Sequence, residues 1–295
     1  MKTALHSVSY AGVWPGQARL SVEAFLRHAK ELGFEAVMLM AKRPHVSVLD
    51  FEAEARMRLH ELLAQLGIRV VCLAGYTDFC MGGDRLDIPT REMQILYVRE
   101  LCRTARDLDC RLVRVFTGFD YANSSLDQQW SWCVSSLREC ARRAAEFGVT
   151  LGVQNHHDTA AHYESLFDLL QEIDEPNCQA MFDAWAPALQ GSDLVAAVHK
   201  LAPYLVHTTV ADYARRPRFR YQPNLVNYSR EPDAIRAVPL GEGFIDYPAF
   251  FQALQETGFN GHVAYEMCAP VRGGGSAENL DRCARKFLEY MAQYA

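Results

Sequence analysis

The stretch Phe147-Gly148-Val149-Thr150-Leu151-Gly152-Val153-Gln154-Asn155 joins the end of a helical pattern to a short apolar strand through a single glycine. Glycine readily adopts the left-handed conformation that ends many helices, so this stretch predicts a tight turn between a helix and a buried strand. The same arrangement recurs at Leu32-Gly33-Phe34 and at Leu66-Gly67-Ile68. Turns repeated in this way predict a chain in which helices and strands alternate.

The rest of the chain continues this alternation. Strands are predicted at residues 4–10, 36–40, 68–74, 111–116, 149–155, 179–183, 205–211 and 262–267. Helices are predicted at residues 21–32, 50–66, 91–108, 126–147, 163–173, 193–202, 246–257 and 276–294. Continuous apolar strands between amphipathic helices are typical of a parallel sheet covered on both faces. We therefore predict an α/β protein with one (β/α)8 TIM barrel over residues 1–295. A doubly wound open sheet is the alternative, but residues 10–16 lack the glycine pattern of a dinucleotide-binding turn.

One long stretch, at about residues 214–240, shows neither pattern and is predicted to be a loop after the seventh strand. Loops of this length are commonly lids, binding loops or oligomer contacts. Its arginines are interspersed with aromatic residues, so it could pair with carboxylates or with an anionic substrate group. A solvated loop with scattered arginines is the other interpretation.

Composition narrows the class of protein. The chain has 295 residues, of which 49% are hydrophobic and 22% charged, with a net charge of −6. This charge does not favour nucleic acid as a partner. The nine cysteines include no Cys-x-x-Cys pair, which suggests free thiols in a reducing compartment. Because no signal peptide or membrane-spanning run is visible, we expect a cytoplasmic protein with a small-molecule substrate.

Polar residues stand where several predicted strands end, which in a barrel is the face that carries the chemistry. Glu266 ends the last strand, and a lone glutamate there is costly to bury unless it is paired, metal-bound or protonated. Asp183 ends the sixth strand, and His156 and His157 follow the fifth. On the seventh strand His207 shares a face with Thr209, since side chains alternate along a strand. These residues predict one polar pocket.

The segment after Glu266 contains Arg272 and three glycines, Gly273 to Gly275, directly before the last helix. Backbone N–H groups at a helix N-terminus attract anions, and barrels often bind phosphate at this end. The segment is therefore either an anion site or a flexible connector.

The chain resembles the sugar phosphate isomerase/epimerase family of xylose isomerase-like barrels, which includes ketose 3-epimerases, inosose dehydratases, hydroxypyruvate isomerases and endonuclease IV. The resemblance covers nearly the whole chain and is carried by strand-end phrases. These phrases are Val153-Gln154-Asn155-His156-His157, Phe182-Asp183, Val206-His207 and Ala264-Tyr265-Glu266. The segment Leu240-Gly241-Glu242-Gly243-Phe244-Ile245-Asp246-Tyr247 also resembles a phrase that the family carries before its last pair of helices. The negative charge disfavours the endonuclease.

The resemblance implies a divalent metal (Mn, Mg, Co or Zn) held by a Glu, an Asp, a His and a Glu on the last four barrel strands. These positions fall on Gln154, Asp183, Thr209 and Glu266, so two of them depart from the family pattern. We expect the metal ligands to be Asp183, Glu266, Gln154 and, in place of Thr209, the neighbouring His207. The family's substrate-binding His, three residues after the metal Asp, falls on Ala186.

These departures bear on the mechanism, because Gln154 cannot be the second carboxylate base of an epimerase. We expect Glu266 to be the catalytic base and His156 the second acid/base. Substrate contacts are expected from His6, His157, Trp185, Asp212 and Arg272. The predicted activity is isomerisation or epimerisation of a sugar, keto-sugar or polyol by proton abstraction next to a carbonyl. The alternatives are a keto-sugar or inosose dehydratase or lyase, and a catalytically degraded sugar-binding barrel. The chain could also form a homo-oligomer.

Overall fold

The computed structural model describes residues 1–83 and 87–294. Eight parallel strands form a closed barrel in the order β1-β10-β7-β6-β5-β4-β3-β2, and helices pack around it. This confirms the predicted (β/α)8 barrel. The barrel strands are β1 (Lys2–His6), β2 (Ala36–Met40), β3 (Arg69–Ala74), β4 (Leu112–Val115), β5 (Thr150–Gln154), β6 (Cys178–Asp183), β7 (Leu205–Val210) and β10 (His262–Tyr265).

The α-helices surround the barrel and follow the predicted pattern with small shifts at their ends. They are α1 (Val22–Glu31), α2 (Ala53–Leu66), α3 (Thr90–Asp107), α4 (Leu126–Ala145), α5 (Tyr163–Ile173), α6 (Trp185–Gln190), α7 (Leu194–Leu201), α8 (Tyr247–Glu256) and α9 (Ala277–Met291). Gly67 and Gly148 have φ values of 58° and 66°, in the left-handed region, as their helix-to-strand turns require. The short helix α6 was not predicted.

The barrel interior is lined by small or unbranched side chains, among them Ala4, Met38, Cys72, Met181 and Ala264. A larger apolar cluster fills the layer between the sheet and the helices. All nine cysteines are free thiols, as predicted, and eight of them are buried. Among the described residues no helix has the length and apolar character needed to span a membrane.

Two sequence predictions are wrong in detail. The first strand was predicted at residues 4–10, but β1 ends at His6 and Ser7–Tyr10 forms a 3-10 helix. This turn is anchored from both sides, since the Val8 N–H lies 3.4 Å from His6 Nδ1 and Ser7 Oγ accepts the Met40 N–H. Side-chain hydrogen bonds of this kind are not visible in a hydrophobic pattern.

The predicted loop at residues 214–240 is instead an antiparallel hairpin of β8 (Asp212–Gln222) and β9 (Asn227–Val238). Both faces of its outer part meet solvent, so its apolar side chains do not alternate with polar ones as they do in a half-buried strand. Leu225 and Val226 at the tip are 75% and 80% exposed. The base of the hairpin is buried at Tyr213 and Val238, and it extends the barrel at the end where β7 finishes.

Candidate active site

Two buried carboxylates define the site at the carboxyl end of the barrel. Asp183 is the last residue of β6, and Glu266 follows β10 and is only 6% exposed. Burial raises the pKa of both, and the neighbouring Glu266 charge raises the pKa of Asp183 further, well above its ordinary value. The structure thus brings together the two acids that the strand ends predicted. Such a pair holds a proton more readily than isolated carboxylates do.

Asp183 is held in place by the end of β5. The Asn155 side chain accepts the Asp183 backbone N–H at 2.6 Å and donates to its carbonyl at 2.9 Å. Gln154 lies one residue earlier, and its Nε2 donates to Thr209 Oγ1 at 2.6 Å and lies 3.5 Å from Asp183 Oδ2. Gln154 and Thr209, the two residues that depart from the family pattern, are therefore hydrogen-bonded to each other.

His207 does not lie beside these two carboxylates. It pairs in register with Met181 and His262, whereas Asp183 pairs with Thr209, two residues further along β7. Two residues along a strand are roughly 6.6 Å, so His207 lies about one layer deeper in the barrel. Its imidazole is buried and its Nε2 has no hydrogen-bond partner. Burial, then His262 and Arg114, lowers its pKa to about 3. The prediction that His207 replaces the missing ligand does not fit this position.

His156 follows β5 and is partly buried, with its ring stacked on Phe116 at 4.6 Å. Its Nδ1 accepts the His157 backbone N–H at 2.9 Å. A neutral imidazole that accepts at Nδ1 carries its proton at Nε2. Burial, then His157 and Arg114, lowers the pKa of His156 to about 4. At neutral pH this side chain is therefore an uncharged N–H donor rather than a strong base.

His157 and Trp185 flank the site. His157 has a φ of 67° and stacks on Phe119 with ring centres 3.8 Å apart. Trp185 begins α6, and its ring centre lies 6.1 Å from that of His156. The Trp185 Nε1 has no hydrogen-bond partner at normal distance. The Trp185 backbone N–H lies 3.4 Å from Asp183 Oδ1, so the start of α6 lies against this carboxylate.

Asp212 was predicted to contact the substrate, but its carboxylate is bound to the protein backbone instead. Its carboxylate accepts the backbone N–H groups of Tyr213, Gly241 and Gly243 at 2.8–2.9 Å. A Cβ added at Gly243 would overlap the same carboxylate. Asp212 therefore fixes the loop at residues 241–243 against the base of the hairpin, and its oxygens are used within the fold.

Arg272 was also predicted to contact the substrate, but it forms a surface ion pair with Glu242. It is half exposed, and its Nη1 lies 3.1 Å from Glu242 Oε2. The glycine segment behind it is held by Asn279, whose side chain donates to the carbonyls of Arg272 and Gly274. A Cβ at Gly275 would collide with the Gly16 backbone. Close packing therefore explains one of these glycines without an anion.

His6, the last residue of β1, lies inside the barrel. It follows Ala4 by two residues and so faces the interior as Ala4 does. Its Nδ1 is 3.2 Å from the Met38 carbonyl, and its buried Nε2 has no partner. Burial, then the charge of Arg114, lowers the pKa of His6 well below its ordinary value.

Arg114 is a site residue that the sequence analysis missed. It lies on β4 in register with Ala74 and Gly152, and it is 3% exposed. Its guanidinium carbon lies 4.8 Å from the centre of the Tyr76 ring and 4.3 Å from that of Phe116. An arginine in the middle of an apolar strand was a visible signal, of the same kind that singled out Glu266.

The donors at the barrel end do not fit the predicted divalent metal. Two of the four positions carry neutral side chains, and Gln154 presents an N–H, not an oxygen, toward Asp183 and Thr209. The opposite amide orientation would place an oxygen against the Asp183 carboxylate, so the present one is favoured. Within residues 1–83 and 87–294, no three His, Cys, Asp or Glu side chains are grouped as a metal site.

Known proteins support the same architecture. L-ribulose-5-phosphate 3-epimerase of Salmonella heidelberg (strain SL476) is 25% identical over 267 residues, which cover 85% of this chain and 83% of the relative. The enzyme of the same name from Shigella flexneri is 24% identical over 275 residues, covering 88% and 86%.

Solved structures share the fold. D-psicose 3-epimerase from Clostridium cellulolyticum H10, solved with D-tagatose, has a TM-score of 0.77 at 17% identity and 99% coverage of both chains. A probable 3-DHS dehydratase from Bacillus anthracis has a TM-score of 0.73 at 20% identity, covering 98% of this chain and 99% of that one. A sequence model of the xylose isomerase-like TIM barrel matches residues 26–290. With eight parallel strands, acids at the ends of β6 and β10, and this match over most of its length, the chain belongs to the xylose isomerase-like TIM barrel family.

Proposed function

We propose that this protein is a sugar or keto-sugar epimerase or isomerase that abstracts a proton next to a carbonyl. The enzyme class agrees with the relatives, which are named as sugar and sugar phosphate epimerases. The observation that carries the proposal is the buried pair of Asp183 and Glu266 at the carboxyl end of the barrel, the end at which His156 follows β5. Together these residues supply a base and a proton donor at one end of the barrel.

In this proposal Glu266 is the base. Burial raises the pKa of Glu266, so its carboxylate is a stronger base and removes a proton from carbon more readily. It must be deprotonated to act, so activity is lost as the pH falls through this raised pKa. Burial and the Glu266 charge raise the pKa of Asp183 well above its ordinary value, and we assign the proton of the pair to Asp183. One carboxylate then accepts a proton while the other can return one, as epimerisation requires.

His156 is the proposed partner of the substrate oxygen. Its pKa of about 4 makes it a weak base, but its Nε2–H can donate to a carbonyl or hydroxyl oxygen. This refines the predicted role of a second acid/base. The aromatic groups beside it, Phe116 and Trp185, offer apolar faces on which a sugar ring or chain can pack.

A ketose or ketose phosphate is the proposed substrate class. The panel to test includes L-ribulose 5-phosphate, D-psicose and D-tagatose, which correspond to the names of the relatives. Reaction products are identified by NMR and mass spectrometry, with Glu266→Gln as the inactive control. We expect an epimer or aldose–ketose isomer of unchanged mass. Failure of the wild-type protein to convert any ketose would contradict the proposal.

Elimination of water is the second candidate. It needs one base and one acid, and His156, with a proton on Nε2, can donate to a departing hydroxyl. A product lighter by one water molecule would support the dehydratase and exclude epimerisation as the main reaction.

A further inference from the structure

We infer that Arg114 provides, as a fixed guanidinium, the positive charge that a divalent metal would supply, and that it binds the substrate oxygen on which negative charge develops. This inference rests on the proposed function, because it assigns a partner to the oxygen of the proposed reaction. It begins with the position of the side chain. Arg114 lies on β4 in register with Gly152, at an inward-facing site two residues after Leu112 of the interior cluster.

The guanidinium is held rigidly. The rings of Tyr76 and Phe116 both contact it, and its Nη2 lies 3.3 Å from the Gly75 carbonyl oxygen. Cation–π contacts and a hydrogen bond to the backbone restrict the orientation of an arginine fork. A donor that is fixed before the reaction needs no reorganisation when charge develops, which is the condition for strong electrostatic stabilisation.

The same guanidinium still has donors to offer. Arg114 forms no ion pair within 4.0 Å among the residues that the structure describes, whereas exposed arginines such as Arg43 and Arg143 do. Its Nε is buried without a hydrogen-bond partner. A buried cation without a carboxylate partner is costly, and an N–H buried without an acceptor needs an explanation. A bound substrate oxygen would supply that acceptor.

Arg114 is also central to the site. Its charge is among the causes that lower the pKa values of Asp183 and Glu266, and also those of His6, His156 and His207. These groups lie on or directly after five other barrel strands, and the register of Arg114 with Gly152 turns its side chain toward the interior that they share. A divalent cation held by the two carboxylates would carry the same sign of charge as Arg114, and the two would repel each other.

The residues around the carboxylates agree with an arginine in place of a metal. Gln154 Nε2 donates to Thr209 Oγ1 at 2.6 Å, so the two neutral side chains are hydrogen-bonded to each other, while Gln154 Oε1 is buried without a partner. When Glu266 takes the proton, the C–H bond breaks and its electron pair forms a C=C bond to the carbonyl carbon. The π pair of the carbonyl moves onto its oxygen, which gives an enediolate. The N–H groups of Arg114 stabilise that oxygen, and return of the proton to carbon restores the carbonyl.

Metal titration tests this inference without requiring the substrate. Mn²⁺ and Co²⁺ are added to the purified protein and followed by calorimetry and thermal unfolding, with total metal measured by mass spectrometry. We expect no stoichiometric binding and no shift in melting temperature. The variant Gln154→Glu with Thr209→His and Arg114→Met restores the family donors and removes the repelling charge, so we expect it to bind about one metal per chain. Tight binding of one metal by the wild-type protein would overturn the inference.

The second arm uses the reaction. Arg114→Met should lower kcat/KM by about 100-fold or more, as loss of a fixed oxyanion donor does, while Arg114→Lys should recover part of it. Activity of the wild-type protein should survive EDTA. Arg58→Met, at an exposed position on α2, is the matched control and should be unchanged. Full activity of a folded Arg114→Met protein, or complete loss on EDTA treatment, would contradict the inference. Absence of any sugar turnover would instead reject the proposed function and leave the metal titration to decide this point.

Discussion

At the scale of single residues, charged side chains are buried in the barrel, among them the acids Asp183 and Glu266 and the base Arg114. Glu266 and Asp183 were predicted because an acid at the end of an apolar strand is costly to bury unless it is paired, bound or protonated. The fold brings both acids to one end of the barrel. Arg114 carried the same signal but lies inside its strand, one residue before the end of β4. Asp212 was assigned to substrate because sequence cannot show that three backbone N–H groups already occupy its oxygens.

The contacts of Asp212 give a prediction for stability. Asp212→Asn keeps one acceptor oxygen but turns an amide N–H toward backbone donors, so we expect a loss of about 1–3 kcal/mol in the free energy of unfolding. The measurement is urea unfolding followed by circular dichroism. Asp50→Asn, which breaks only an exposed pair with Arg43, is the control and should cost less than about 1 kcal/mol. Equal stability of wild type and Asp212→Asn, with lost substrate affinity, would restore the predicted substrate role.

At the scale of elements, the glycines that end the helices and the apolar strands were sufficient to predict the barrel, because each strand–helix unit is visible in its own local sequence. The hairpin β8–β9 was not predicted, since its outer strands bury no face and so show no alternation. Cross-strand pairs hold it together instead, including Tyr221 with Tyr228 and Arg220 with Glu231. Its base is tied to the barrel, where Ala237 bridges to Val271.

This arrangement predicts that the outer hairpin can be removed. Arg216 and Ala234 are register partners, so residues 217–233 can be replaced by a two-residue turn. Because the tip is exposed, we expect the free energy of unfolding to change by less than about 1 kcal/mol. Thermal and urea unfolding provide the measurement, with the far-UV spectrum as a check of the fold. A loss of several kcal/mol would show that the tip supports the barrel.

For the whole molecule, the barrel combines apolar packing with neutral imidazoles that are buried, as His207 is, or partly buried, as His262 is. His207 and His262 have pKa values lowered to about 3 and about 4, chiefly by burial. Their ordinary value is about 6.5, so the unfolded chain binds protons that the folded chain does not. Their stabilising contribution is present above pH 6.5 and is lost as the pH falls toward 3 or 4.

The stability of the protein should therefore fall between pH 6.5 and pH 4.5, by up to about 1.4 kcal/mol per pH unit for each such histidine. The raised pKa values of Asp183 and Glu266 oppose this trend. The test therefore compares the pH dependence of the unfolding free energy in a histidine variant with that in the wild type. His207→Leu should flatten the slope of unfolding free energy against pH, measured by urea titration at several pH values. His199→Leu, at an exposed position on α7, should keep the wild-type slope. Identical slopes for His207→Leu and wild type would contradict the burial of a neutral His207.

Hydrogen exchange at the substrate carbon tests the proposed chemistry most directly. A ketose substrate is incubated with the protein in D₂O, and deuterium next to the carbonyl is followed by NMR. We expect the wild-type protein to incorporate deuterium at that carbon, and Glu266→Gln to slow the incorporation by about 100-fold or more. Conversion of the ketose without deuterium entering the carbon, or unchanged exchange in Glu266→Gln, would contradict proton abstraction by Glu266.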